Sequence, residues 1–299
     1  MSLTAEPATD ALSRNSAESE PLRERPWLVV WTLCKRELTR FFRQRNRVVG
    51  AIGQPIIFWL LFGAGLGPSF RMPQAAVSET IAAETISAPA VSYSEYFFPG
   101  TLSLILLFTA IFTTISIIED RREGFLQSVL TAPISRWSMV LGKLLGGSLI
   151  ALVQAMIFFA LGLTLGLHYS FTMVLAVAGF GLLCAFALTA LGFVIAWRMD
   201  STQGFHAVMS VFLMPMWLLS GAFFPGEGVL RWVMAVNPMT YITAGLRHLV
   251  YWNVPNSAAL LPPHLPSLTL CLVVTSVTAA GLFALSVRMA AVRTTGDLL

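Results

Sequence analysis

The sequence predicts an all-α integral membrane protein with six transmembrane helices, and three observations predict it. First, 56% of the 299 residues are hydrophobic and only 11% are charged, against roughly 25% charged in an average soluble chain. With a mean hydropathy of +0.73, the apolar residues left over would cover the surface of any water-soluble globule. Second, the chain falls into uncharged windows long enough to cross a bilayer, each needing about 20 residues. Third, lysine and arginine gather on one set of connecting segments.

Residues 1–25 are polar and of mixed charge, with no apolar core. They read as a disordered cytoplasmic tail and not as a signal peptide, which needs an apolar stretch behind a basic start. Residues 26–47 form an amphipathic helix. Trp27, Val30, Trp31, Cys34, Leu38, Phe41 and Phe42 recur at helical spacing, while Lys35, Arg36, Arg40, Arg43, Arg45 and Arg47 supply cations. That pattern suits a helix in the inner interface, its cations toward anionic lipid; it also reads as the basic flank of a first span.

The six-span region covers residues 48–290. Uncharged windows at 48–70 and 96–118 each give one span. Between Lys143 and Arg198 lie 54 uncharged residues, about 80 Å of helix at 1.5 Å per residue. A core of about 30 Å holds that only as two spans, turning near Gly166, His168 and Ser170. Residues 201–226 make a fifth span ending at Pro225, and 266–287 a sixth. Residues 291–299 follow as a second cytoplasmic tail. Cys34, Cys184 and Cys271 are an odd set distributed between interface and bilayer, so no disulfide framework is expected.

Orientation follows from lysine and arginine. With the N-terminus inside, the inner segments hold nine (1–47), four (119–143), one (Arg198) and two (Arg288, Arg293). The outer segments hold Arg71, Arg231 and Arg247. A split of 16 to 3 puts both termini in the cytoplasm. The net charge of +4 is therefore a topology signal and not a nucleic-acid patch.

Searches for chemistry come back empty. Gly142-Lys143 resembles the end of a P-loop, but Trp137 stands at the first glycine and Leu144 at the hydroxyl position. There is no paired-histidine metal helix. Ser220 lacks the glycine two places before it that a nucleophile elbow needs. His206 has no carboxylate beside it in sequence. None of the six windows contains Asp, Glu, Lys or Arg, which carriers coupled to protons or sodium usually bury. No catalytic or metal residue is expected, so the chain is read as no enzyme; a channel working without ATP remains as a reading of another class.

Two connecting segments stand out. Residues 118–136 start with Glu119, Asp120, Arg121, Arg122 and Glu123, and continue into Phe125, Leu126, Val129 and Leu130, one apolar face of a short helix. Pro133 ends it and Ser135 is placed to cap the next helix. A cytoplasmic apolar face flanked by charge fits a protein partner or a lipid surface equally. The second segment, 225–252, holds Val229, Trp232, Val233 and Val236, a break at Asn237-Pro238, and a further helix from Met239. Apolar residues this dense in an outer loop should dip back into the leaflet or pack as an outer cap.

These segments carry a family resemblance. Leu130-Thr-Ala-Pro-Ile-Ser-Arg136 followed by Gly142-Lys143 resembles the inner-loop motif of type-2 ATP-binding-cassette exporter permeases. Leu219-Ser-Gly-Ala-Phe-Phe-Pro225 and Asn237-Pro-Met-Thr-Tyr241 with Arg247 resemble that family's fifth-span end and outer loop. The likeness covers roughly residues 27–290, in order.

The resemblance implies a half-transporter of the cytoplasmic membrane, with an interfacial elbow helix, six spans, a cytoplasmic coupling helix and outer re-entrant helices. The coupling helix would use Glu119, Arg121, Arg122, Glu123, Phe125, Leu126 and Leu130. The outer re-entrant loop would use Pro225, Asn237, Pro238, Tyr241 and Arg247. Two permease copies, a homodimer, would pair with separate cassette ATPase subunits. Those subunits would hold ATP and magnesium, with no cofactor in this chain.

Gly142 with Gly146, and Gly162 with Gly166, allow close helix approach. Uncharged spans with Thr101, Ser103, Thr109, Thr113, Thr114 and Ser116 fit a pathway for an amphipathic or lipophilic cargo, or else for a polysaccharide or lipid-linked glycan. Such hydroxyls also bond back to their own helix.

Overall fold

A computed structural model describes residues 25–44, 49–50, 53, 56–57, 59–61, 93–165, 169–223, 230–252, 261–262 and 264–292. The described residues are helices joined by short turns, with no strand among them. In order they are α1 (Pro26–Arg43), α2 (Tyr93–Thr113), α3 (Ile115–Arg122), α4 (Phe125–Thr131) and α5 (Arg136–Ala160). After a 3₁₀ turn (Leu161–Leu165) come α6 (Phe171–Ala196), α7 (Thr202–Trp217) and a π turn (Leu218–Ala222). The chain closes with α8 (Leu230–Val236), α9 (Pro238–Val250) and α10 (Leu268–Ala291).

Five helical stretches are long and apolar enough to cross a bilayer: Ser94–Arg122, Arg136–Thr164, Phe171–Ala196, Thr202–Ala222 and Leu268–Ala291. They coincide with the second to sixth expected spans. The first, at 48–70, is described only at 49–50, 53, 56–57 and 59–61, all helical. Residues 1–24 and 293–299 of the two tails, Arg45, Arg47, the 71–92 segment and Pro225 lie outside the described residues.

The second span corrects the sequence reading at its inner end. Residues 119–122 belong to the same helical column as the span and not to a loop. The column is broken only at Thr113 and Thr114, whose hydroxyls donate to the carbonyls of Ala110 and Ile111, the back-bonding that bends helices. This column is the centre of the bundle, with 89% of its most apolar stretch buried. Of the five described spans the last is the outermost, 22% buried by the same measure. Its Leu272, Val273, Val277 and Leu285 are exposed, as a lipid-facing helix requires.

Helix starts are set by side-chain caps. Ser170, Ser201 and Ser267 accept from the backbone N–H of Met173, Gly204 and Leu270. Ser135 occupies the cap position of α5 but makes no cap bond; its hydroxyl turns to Ser138 instead. Two glycines of α5 fix where α1 lies. A Cβ on Gly142 would stand 2.9 Å from Leu33 Cβ and Val30 O, and one on Gly146 would stand 2.7 Å from Glu37 Cβ. Backbone thus meets backbone, and α1 packs flat against α5.

Candidate functional site

Where α1, α3, α4 and α5 meet, charges lie inside the fold. Glu37 sits on the inward face of α1 with Val30, Leu33, Cys34 and Phe41. The Gly146 contact lays it against α5, beside Lys143. The Lys143 ammonium donates to Glu37 Oε1 at 2.9 Å and to Asp120 Oδ2. Asp120, with no exposed surface, also takes Arg36 Nη2 at 2.7 Å and Arg40 Nη1 at 2.6 Å on its other oxygen. Arg40 reaches on to Glu119 at 3.1 Å and Glu123 at 2.9 Å.

Three cations therefore face four carboxylates in one connected knot. Burial works against the Arg36 charge, but Asp120, Glu37 and Glu123 outweigh it and raise its pKa above the ordinary guanidinium value. Low local dielectric strengthens the buried pairs of Lys143 with Glu37 and Asp120, and makes the loss of one partner there costly, whereas the Arg40–Glu123 pair lies at the surface.

The knot is joined to α4. The Arg36 guanidinium lies 3.6 Å above the Phe125 ring, a cation–π contact, and Gly124 opens α4 from the left-handed region (φ +75°). Leu126 is fully buried in the chain's own core, with Val129 and Leu130 packed against that core. Arg136 holds the Leu130 carbonyl at 2.9 Å. The outward side of α4 is left to Ser128 and Thr131, next to Pro133.

On the opposite flank, Arg121 donates to the carbonyls of Trp197 (2.7 Å) and Met199 (3.3 Å), and to Asp200. Arg122 donates twice to the Asp200 carbonyl. Residues 119–123 so tie α1 on one side to the α6–α7 connection on the other.

At the far end of the bundle the fifth span breaks. Pro215, the π turn and Gly221 (φ +78°) leave carbonyls without helical partners. Asn237 donates to two of them, Met216 (2.6 Å) and Leu219 (3.0 Å), while its own oxygen caps α9 at Met239 N–H. Arg247 donates to Gly221 O at 3.3 Å and lies 4.0 Å over the Tyr96 ring. Tyr241 bonds Ala235 O at 2.8 Å, and Trp217 Nε1 bonds Gly100 O at 2.9 Å. No cluster of metal-ligating side chains occurs among the described residues.

The profile of the ABC-2 type transporter family matches residues 29–251, three quarters of the chain. The chain belongs to that family. Among similar proteins, one named a multidrug ABC transporter permease (YbhR), from Escherichia coli, is 30% identical over 171 residues, 52% of this chain and 43% of that protein. The chain thus spans less than half of that relative's length. One named a transport permease (ycf38), from Cyanophora paradoxa, is 26% identical over 226 residues, 74% of this chain and 73% of that one. A second ycf38, from Pyropia yezoensis, is 26% identical over 234 residues.

Within this ABC-2 family chain, the structure gives the surroundings of several residues that the sequence singled out. Arg247, counted as an outer-loop cation, is fully buried. The hydroxyls read as a pathway are interior. Thr101, Ser103, Thr113 and Thr114 bond their own helix, and Thr109 bonds Gln154 Oε1 at 2.6 Å. His206 is an exposed ring beside Phe112.

Sequence reasoning missed the Glu37–Asp120–Lys143 knot, because Lys143 looked like a span boundary and Glu37 like one polar residue among many. The signal was present: Glu37 falls on the stripe 30, 33, 34, 37, 41, at spacings of three and four among apolar residues.

Proposed function

We propose that this permease exports an amphipathic or lipophilic compound across the cytoplasmic membrane, driven by ATP hydrolysed on a separate cassette ATPase subunit. Two permease copies would build the pathway. The observation that carries this reading is the Asp120 knot. A push on α4 reaches Arg36 through Phe125, then Asp120, and from there α3, the inner end of the central column, and α5, the next span.

The partner would seat on the outward side of α4, at Ser128 and Thr131, while Leu126 keeps α4 rooted in the permease. Arg121, Arg122 and Glu123 are engaged inside the chain, so they would transmit the push and not set the register of docking. The name of the Escherichia coli relative favours drug-like cargo over glycans.

The test is reconstitution of the permease with its cassette ATPase and measurement of ATP-dependent efflux of a lipophilic dye. Ser128→Arg with Thr131→Arg should lower transport and transport-linked hydrolysis at least about tenfold, equivalent to about 1.4 kcal/mol of docking, without changing the unfolding of the isolated permease. Full transport by that variant would place the docking surface elsewhere.

A further inference from the structure

A cavity of about 230 Å³ opens where the broken end of α7 meets α8, α9 and the start of α10. Gly221, Arg231, Thr240, Thr243, Arg247 and His264 line it, and no Asp or Glu does among the described residues. Thr240 is 5% exposed, and its hydroxyl has no hydrogen-bond partner among the described residues. Arg231 forms no ion pair among the described residues. A buried hydroxyl without a partner is a standing cost that valine would avoid. Its place on a cation-lined wall calls for a ligand that brings acceptor oxygens and negative charge.

The volume exceeds what one water would fill, with room for roughly eight at about 30 Å³ each. Trp232 and Trp252, exposed beside the same helices, are the amphipathic rings that collect at headgroup depth.

We propose that this cavity binds the phosphate-bearing headgroup of an anionic phospholipid. Thr240 donates to a phosphate oxygen, Arg231 and His264 stand at the exposed side, and Arg247 adds positive charge from within. The assignment rests on the membrane placement of α8 and α9, whereas the chemistry of the cavity stands apart from it. It takes no part in the coupling proposed for the other end of the bundle.

The test uses the full chain in a neutral detergent, with binding of dihexanoyl phosphatidylglycerol, dihexanoyl phosphatidylcholine and inorganic phosphate measured in parallel. Phosphatidylglycerol should bind about tenfold tighter than phosphatidylcholine, as one charge-assisted hydrogen bond allows, and tighter than inorganic phosphate. Thr240→Val, which removes only the unpaired hydroxyl and leaves the fold intact, should weaken phosphatidylglycerol about tenfold, and Arg231→Gln similarly. Lys35→Gln with Arg43→Gln, which removes exposed cations at the opposite end, should leave it unchanged.

Equal binding of the two lipids, phosphate binding as tightly as phosphatidylglycerol, or full affinity in Thr240→Val and Arg231→Gln would each overturn the proposal. Placement is read separately, from tryptophan quenching by brominated-chain phosphatidylcholine in nanodiscs. If Trp232→Phe leaves that quenching unchanged while headgroup binding in detergent persists, the placement of α8 fails and the cavity chemistry stands.

Discussion

Removing the Lys143 ammonium leaves two buried carboxylates facing each other, because Glu37 and Asp120 both accept from it. Breaking one side of a buried pair costs about 3–5 kcal/mol, so Lys143→Met should lower unfolding stability by that order, read from thermal or denaturant unfolding in detergent. Lys143→Arg should recover part of it, since the charge returns in a bulkier shape. The same corner silences a thiol: burial and then Glu37 raise the pKa of Cys34, and all three cysteines are buried and free. Folded protein should therefore resist maleimide at neutral pH and take up three labels once denatured. The sequence showed each residue of this corner but not its partner. Apart from the neighbours Arg36 and Glu37, the partners lie far apart in sequence: Asp120 and Lys143 by 23 residues, Lys143 and Glu37 by 106. Only the close approach at Gly142 and Gly146 brings them together.

Short helices were legible as helices and less legible in what their faces do. The apolar pattern of α4 was plain, yet Leu126 is consumed by the permease's own core. Leu126→Ala should cost about 2–5 kcal/mol of stability, measured on the isolated permease, where a purely partner-facing residue would cost almost nothing. The break at Asn237-Pro238 was likewise visible, as was the helix on either side of it. That Asn237 reaches across to the fifth span was not visible, because no periodicity encodes which carbonyls a broken helix leaves open. Asn237→Ala strands two carbonyls, at about 1–3 kcal/mol for a buried unsatisfied group. It should loosen the end of α7, read as faster amide exchange at 216–222 with exchange in α5 unchanged.

For the molecule as a whole, composition and charge-free windows place five described spans correctly, since hydrophobic length is a property of each segment alone. Orientation is a property of the ensemble of connections, and it rests on where the cations lie. Arg247 lies buried in α9, so it does not count among the exposed cations of the end that holds α8. Lys35, Arg43, Arg122 and Arg198, by contrast, are exposed at the end that holds α1 and α4. The 16-to-3 lysine and arginine bias of the sequence leads us to expect α4 in the cytoplasm and α8 outside, which labelling can test. The buried native thiols give a quiet background for the test. A single cysteine at Trp232 should react with a membrane-impermeant maleimide on intact cells, and one at Ser128 only after permeabilisation. Labelling at Ser128 from outside would reverse the orientation. It would also remove α4 from reach of a cytoplasmic ATPase, and with it the coupling route through Phe125 and Asp120.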